Sequence, residues 1–247
     1  MNVLNKKQTD QFHKKGYTLH HDQLFDSPAF ERLERIMKEH LENKGTRLSD
    51  ELDTPHFRDP RLFDFLMSDE ALGMVEDILG PNIGLWSSHF ICKDPFLGRR
   101  TPWHEDSAYW KGRFDRLDKI VTIWLAMDNT FPENGCMGVI PGTHINGFSD
   151  YENVDTRNAT FAEEIKPDSF DLSKVVWFEL KKGECSLHDG RIIHGANANN
   201  SRFRRCGYTM RYFALDMKLN ESHPDNRQHK IYHARGSNLA NNPLIYL

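Results

Sequence analysis

A chain of 247 residues, 38% hydrophobic and 28% charged, is long enough for one sizeable core, and its mean hydropathy of -0.67 excludes a membrane-embedded class. Its longest apolar runs, 120–127 and 175–178, fall far below the roughly 20 residues that span a bilayer, and residues 1–7 lack the apolar stretch of a secretory signal, so no membrane partner and a cytoplasmic location are expected. A net charge of -4 argues against nucleic acid as a partner, since that affinity needs basic patches, and favours a small-molecule substrate.

The first part of the chain reads as helical. Residues 9–15 stop at Gly16. Phe30, Leu33, Ile36, Met37 and Leu41 recur at three and four across 27–43, the spacing of a helix with one buried face. Residues 68–79 begin with the capping side chains of Ser68 and Asp69 and end at Gly80-Pro81. From Ile83 the pattern changes to short runs rich in β-branched and aromatic residues, punctuated by Gly, Pro, Asn and Asp. Strands are predicted at 83–92, 101–106, 119–127, 136–140, 175–180, 184–188, 191–194 and 205–215. Eight strands in succession predict a mainly β protein with flanking helices, built as a jelly roll or closed barrel. The expected organisation is a single domain over 1–247, with N-terminal helices to about residue 80, a β core over about 83–215 and a tail over 216–247. Residues 146–173 read as a long polar insertion, either a lid or an ordinary surface excursion. Cys92, Cys136, Cys185 and Cys206 show no Cys-x-x-Cys pairing, so buried strand thiols are expected rather than a zinc site or a disulfide framework.

The chemistry concentrates around His104-Glu105-Asp106. Side chains two apart on a strand share a face, with Cα atoms roughly 6.5–7 Å apart, so one metal can take both. A second imidazole from elsewhere completes a two-His, one-carboxylate facial triad that leaves adjacent coordination positions open, the arrangement of non-haem iron oxygenases. The His-x-Asp pattern alone is weak, and two further examples occur, His20-His21-Asp22 and His223-Pro224-Asp225. Context separates them. The last carries a proline in a polar stretch, and the first lies far from other candidate features, whereas Trp103, Tyr109 and Trp110 around His104 suit a pocket wall. His194 and His188 are the nearest candidates for the second imidazole. Asp189-Gly190 beside His188 suggests a turn and a supporting role, and His144 reads as a turn residue.

Trp103-His104-Glu105-Asp106 is followed by Trp124-Leu125-Ala126-Met127-Asp128, then by Glu133-Asn134-Gly135-Cys136-Met137 with Pro141-Gly142-Thr143-His144. His194-Gly195, Asn199, Ser201, Arg205 and Arg211-Tyr212 complete the series. In this order and spacing, over 83–213, the chain resembles the phytanoyl-CoA dioxygenase (PhyH-like) family of iron(II)- and 2-oxoglutarate-dependent oxygenases. The resemblance implies a double-stranded β-helix (cupin-like jelly roll) with His104, Asp106 and His194 as the catalytic metal ligands. It also implies that Arg205, eleven residues beyond His194, holds the distal carboxylate of 2-oxoglutarate, a role that a permanently charged, two-pronged guanidinium suits. Lys93 and Trp124 match positions lining the same cosubstrate pocket. The implied reaction consumes O2 and 2-oxoglutarate, releases succinate and CO2, and hydroxylates a small molecule through an iron(IV)-oxo. Asp106 favours hydroxylation or another oxidation over halogenation, because related halogenases carry a small residue there.

The chain departs from the family at Glu105, often glutamine, and at Ala196, where many relatives carry a hydroxyl. Strand alternation points Glu105 away from the metal. Trp86, Arg99, Trp103, Tyr109, Trp110 and Arg211 are the candidate substrate-pocket residues. Arg99, Arg100, Lys111 and Arg113 flank the triad strand and either attract an acidic substrate group or form a solvated face. Arg211 shares strand parity with Arg205 and is expected to pair with a structural carboxylate such as Asp128. Two other functions compete with the oxygenase: a cupin-like metal sensor without oxygenase activity, and a hydrolase using zinc-bound water. A pure sensor has no need of Arg205 or Lys93.

Overall fold

A computed structural model describes residues 3–247. Helix α1 (Lys6–Lys15) is opened by a reciprocal cap between Asn5 and Gln8 and closed by Gly16 at φ +79°. It leads into β1 (Tyr17–His20). In α2 (Ser27–Glu42), Asp26 caps the N-terminus and Phe30, Leu33, Ile36 and Met37 form the buried stripe that their spacing predicts. A short β2 (Leu52–Asp53) and the single turn α3 (Phe63–Leu66) precede α4 (Asp69–Leu79), which Ser68 caps and Gly80 ends.

The β region follows as β3 (Ile83–Lys93), β4 (Thr101–His104), the single turn α5 (Asp106–Tyr109), β5 (Ile120–Ala126) and β6 (Met137–Val139). Then come β7 (Tyr151–Asn153), β8 (Glu163–Ile165), β9 (Val176–Trp177), β10 (Cys185–Asp189), β11 (His194–Ala196), β12 (Arg205–Ala214) and β13 (Tyr232–Arg235). A major antiparallel sheet runs β1-β10-β5-β12-β3-β13, with β2 beside β3, and a minor sheet runs β4-β11-β6-β9. This pair of sheets is the jelly roll of a double-stranded β-helix, mainly β with helices on one side.

Strand β5 is buried along its whole length. Val121, Ile123 and Leu125 join the core beneath α2 and α4, while Trp124 and Ala126 turn the other way, toward Met137, Val139 and Phe178 between the sheets. The continuous apolar run at 120–127 therefore marks a strand covered on both faces. Strand β12 divides similarly. Cys206, Tyr208, Met210 and Tyr212 pack under the helices, and Arg205, Thr209 and Arg211 face the interior between the sheets. Alternation along one strand thus sets the guanidinium positions.

Four expectations change. The predicted strand 101–106 ends at His104, and Asp106 opens a helical turn. Glu105 stays extended at φ -104°, ψ 129°, so His104 and Asp106 still face one side. The predicted strand 191–194 lies instead at His194–Ala196. Residues 146–173 are not an open loop: β7 and β8 form a hairpin, and Tyr151, Ile165 and Phe170 pack with Ile140 and Ile193 of the core. Cys92 and Cys206 stand opposite each other on β3 and β12 and are joined as a disulfide, whereas Cys136 and Cys185 are the buried free thiols expected. A separation of 114 residues hid a pairing that only sheet register creates.

Candidate active site

His104 on β4 and His194 on β11 are directly opposed in the minor sheet, with ring centroids 4.1 Å apart. Each Nδ1 lies against a backbone carbonyl two residues earlier, His104 at 2.7 Å from Pro102 O and His194 at 2.9 Å from Ile192 O. Donation of Nδ1–H to those carbonyls leaves both Nε2 lone pairs directed inward, the tautomer a metal requires. Asp106 Oδ1 lies 3.6 Å from His104 Nε2 and 3.9 Å from His194 Nε2. The three ligand atoms lie within 4.8 Å of one another, and all three residues are buried.

The electrostatics suit a cation. Burial raises the Asp106 pKa, but the charge of Arg211, with His104 and His194, outweighs it and holds the carboxyl well below its usual range. Burial, helped by the neighbouring His104, pushes His194 down, so its imidazole is neutral. A carboxylate and two imidazoles, all buried, form a donor set that fits a divalent transition metal with open positions.

Arg205 supplies the complementary charge. Its Nε donates to Gly135 O at 2.8 Å and its Nη1 to Ile91 O at 3.2 Å, while burial pulls its pKa down to about 10. Among the described residues it has no carboxylate partner, and it lines the same cavity as the triad. A buried guanidinium bonded only to carbonyls is stabilised by an incoming anion. Trp124 lies beside it, 5.5 Å from Arg205 Cζ to the ring centroid. Glycine makes that possible: a Cβ on Gly207 would stand 2.1 Å from Trp124 Cζ2.

The structure separates the other candidates. Tyr109, Trp110, Trp86 and Arg211 line the wider mouth outside the triad. Trp103 instead packs on the outer side of the minor sheet against Phe170 and Trp177. Arg99 is drawn to Asp50, its Nη2 2.6 Å from Oδ1. Lys93 is completely buried beside Arg205, and its Nζ donates to Arg99 O rather than reaching the cavity. Arg211 pairs with Asp106 at 3.3 Å, and Asp128 is taken by Arg204 at 2.8 Å. The remaining His-x-Asp sites stay apart from the metal cluster, with His21 2.8 Å from Glu184 and His223 capping a surface turn.

Sequence reasoning underplayed His188 and missed Phe161. His188 lies on β10 opposite Thr122, with Nε2 4.0 Å from Asp106 Oδ2 and its ring pushed down to about 4 by burial. Strand parity was its available signal, masked by the Asp189-Gly190 turn. Phe161 reaches the cavity from the insertion and meets the His104 ring edge-on at 4.9 Å. Its location depends on how the β7–β8 hairpin docks, which no local pattern reports.

Fold and site together define a double-stranded β-helix protein with a two-His, one-carboxylate centre. The family model described as Phytanoyl-CoA dioxygenase (PhyH) matches residues 1–207, and the chain belongs to that family. It is 29% identical over 160 residues to a phytanoyl-CoA dioxygenase domain-containing protein 1 homolog of Caenorhabditis elegans, covering 63% of this chain and 55% of that protein. It is 28% identical over 162 residues to the peroxisomal phytanoyl-CoA dioxygenase of Homo sapiens, covering 64% and 47%. The chain thus spans about half the length of these relatives. Among solved structures, the apo form of the non-heme monooxygenase ThoJ superposes with a TM-score of 0.77 at 19% identity, covering 97% of this chain and 86% of that one. EctD from S. alaskensis with bound Fe gives 0.72 at 19%, covering 89% and 80%. EvdO2 from Micromonospora carbonacea var. aurantiaca with 2-oxoglutarate gives 0.70 at 21%, covering 85% and 91%. At these identities the likeness establishes the fold.

Proposed function

We propose that the chain is an iron(II)- and 2-oxoglutarate-dependent dioxygenase that hydroxylates a small molecule within a single catalytic domain. The observation that carries this reading is the convergence of His104, Asp106 and His194 on one cavity with the carboxylate-free guanidinium of Arg205. The relatives' names link the family to dioxygenase chemistry, and related folds have been captured with iron and with 2-oxoglutarate. A sensor or zinc hydrolase gains nothing from a buried cation placed for a dicarboxylate.

His104, Asp106 and His194 would hold the iron, and Arg205 the distal carboxylate of 2-oxoglutarate, with Trp124 as the adjacent wall. When bound, iron and 2-oxoglutarate supply activation of O2, coupled to loss of CO2 and formation of succinate. The chain's residues orient the reactants and exclude competing chemistry. Arg211 holds Oδ2 of Asp106 while Oδ1 faces the imidazoles. Phe161 and Met137 line the cavity and keep water from its walls. Ferrous iron suits a reducing aqueous compartment such as the cytoplasm.

Anaerobic addition of iron(II) and 2-oxoglutarate tests the proposal without a substrate. A saturable visible charge-transfer band, lost in His194→Ala, is expected. Iron bound by the wild-type chain without such a band would overturn the oxygenase reading in favour of a metal sensor or hydrolase.

A further inference from the structure

Outside the triad the cavity widens into a mouth of about 420 Å³. Asp106, Phe161 and Arg211 line both spaces, so a molecule in the mouth has access to the metal side. Trp110, Tyr109 and Phe161 make much of the wall apolar and flat, while Trp86 lies buried behind Arg113 and His229. Among the four basic residues flanking the triad strand, three are engaged elsewhere. Arg99 pairs with Asp50, Arg100 with Glu164, and Lys111 sits 5.0 Å over Phe148, away from the mouth.

Arg113 remains. Its guanidinium carbon lies 4.4 Å from the Trp86 ring centroid, with Nε donating to Asn226 Oδ1 at 2.7 Å and Nη2 to the Asp225 carbonyl at 3.1 Å. These bonds fix the head group without neutralising it, and among the described residues no carboxylate pairs with it directly, Asp225 and Asp53 acting on it only through space. Partial burial also lowers its pKa from the usual arginine value, a cost that an incoming anion relieves. The mouth is also lined by Glu51 and Asp53, and the Asp53 side chain is 64% exposed, with His89 3.7 Å away. With Arg211 already paired to Asp106, one cation among acids favours a single acidic head group and disfavours several.

We propose that the substrate is a compact organic acid with one acidic head group, its carboxylate or phosphonate seated on Arg113 and its apolar body held between Tyr109, Trp110 and Phe161, rather than a polyphosphate-bearing ester. This inference rests on the oxygenase reading for the step that follows binding. Binding itself requires only the mouth. Arg211, between mouth and triad, marks the end toward which the oxidised carbon points.

The test follows tryptophan fluorescence of the full chain loaded anaerobically with iron(II) and 2-oxoglutarate, so that Arg205 is occupied. The probes are 3-phenylpropionate, 2-phenylethylphosphonate, 3-phenylpropionamide, 3-phenylpropylamine and 3-phenylpropionyl-CoA. Saturable quenching by at least one acid is expected, with the amide and amine weaker by about tenfold, the scale of one charge-assisted hydrogen bond. The preference between the two acids identifies the head group. Arg113→Gln should bring acid affinity down to that of the amide, and Arg113→Lys should restore part of it. The amide comparison on unaltered protein keeps the proposal testable if a variant folds poorly. Equal binding of acid and amide, tighter binding of the amine or the CoA ester, no quenching by either acid, or unchanged affinity in folded Arg113→Gln would each overturn it. The charge-transfer band is read in the same samples. Acid binding without the band sinks the oxygenase reading and leaves this subsite standing, while the band without acid binding does the reverse.

Discussion

The Ser149 hydroxyl donates to Glu105 Oε1 at 2.5 Å, and the Tyr151 hydroxyl donates to Oε2. The residue between two metal ligands is thereby held by the insertion, while Glu105 N–H donates back to the Tyr151 oxygen at 3.0 Å. Glu105 consequently carries no charge toward the metal, yet it fixes the backbone joining His104 to Asp106. Glu105→Ala should reduce metal affinity about tenfold, the scale found when partners supporting a ligand are removed. Tyr151→Phe should have a smaller effect. Calorimetric titration with manganese(II) measures both, and wild-type affinity in Glu105→Ala would show that the insertion does not position the ligands.

Asp106 is the triad's only anion and also the partner of Arg211. Asp106→Ala should abolish the iron–2-oxoglutarate absorption band and leave the two imidazoles beside an uncompensated guanidinium. Far-UV circular dichroism separates this from unfolding. A folded Asp106→Ala protein with a wild-type band would remove Asp106 from the metal centre.

Arg205→Ala should weaken 2-oxoglutarate by at least tenfold while leaving metal affinity in its absence nearly unchanged, because the guanidinium touches Gly135 and Ile91 carbonyls rather than a ligand. Arg205→Lys keeps the charge but loses the fork and should fall between. Titration of the visible band reads the affinity directly. An unchanged value in Arg205→Ala would transfer the role to Arg211, since Lys93 is committed to the Arg99 carbonyl.

Legibility in the sequence followed the range of the interaction. The stripe Phe30, Leu33, Ile36 and Met37 and the parity of Arg205 with Arg211 are local, periodic properties of one element, and the structure keeps both. The approach of His194 to His104 is non-local, but an ordered series of motifs spanning the β core pointed to it. Trp103 and Arg99 were misplaced because proximity along the chain to a ligand does not determine which side of a sheet a residue occupies, and Lys93, placed by the resemblance, turns instead to the Arg99 carbonyl. Cys92 and Cys206 depend on the register of β3 against β12, and Arg211 meets Asp106 and not Asp128 because register sets it opposite Thr122, whereas Asp128 lies at the other end of the strand pair beside Arg204 and Cys206. Short strands such as β2 and β7 have too few residues to display a period.

His56 connects burial to acid sensitivity. It sits among Phe57, Phe63 and Tyr232, with Nδ1 2.7 Å from Ser88 Oγ, and burial pushes its pKa down to about 3. The unfolded chain retains the ordinary value near 6.5. Above that pH both states are neutral and the histidine contributes no pH dependence. As pH falls below about 6.5 the unfolded state takes a proton that the folded state refuses, so stability declines toward pH 3 and levels off below it. His56→Phe preserves an aromatic packing partner but loses the Ser88 bond, and should be less stable at pH 8. Between pH 6 and 4 its stability should fall less steeply than wild type, by up to about 1.4 kcal/mol per pH unit, the slope of one proton. Urea unfolding of metal-free protein at pH 8, 6 and 4 measures the difference, and parallel curves for the two proteins would show that His56 is not the group resisting protonation.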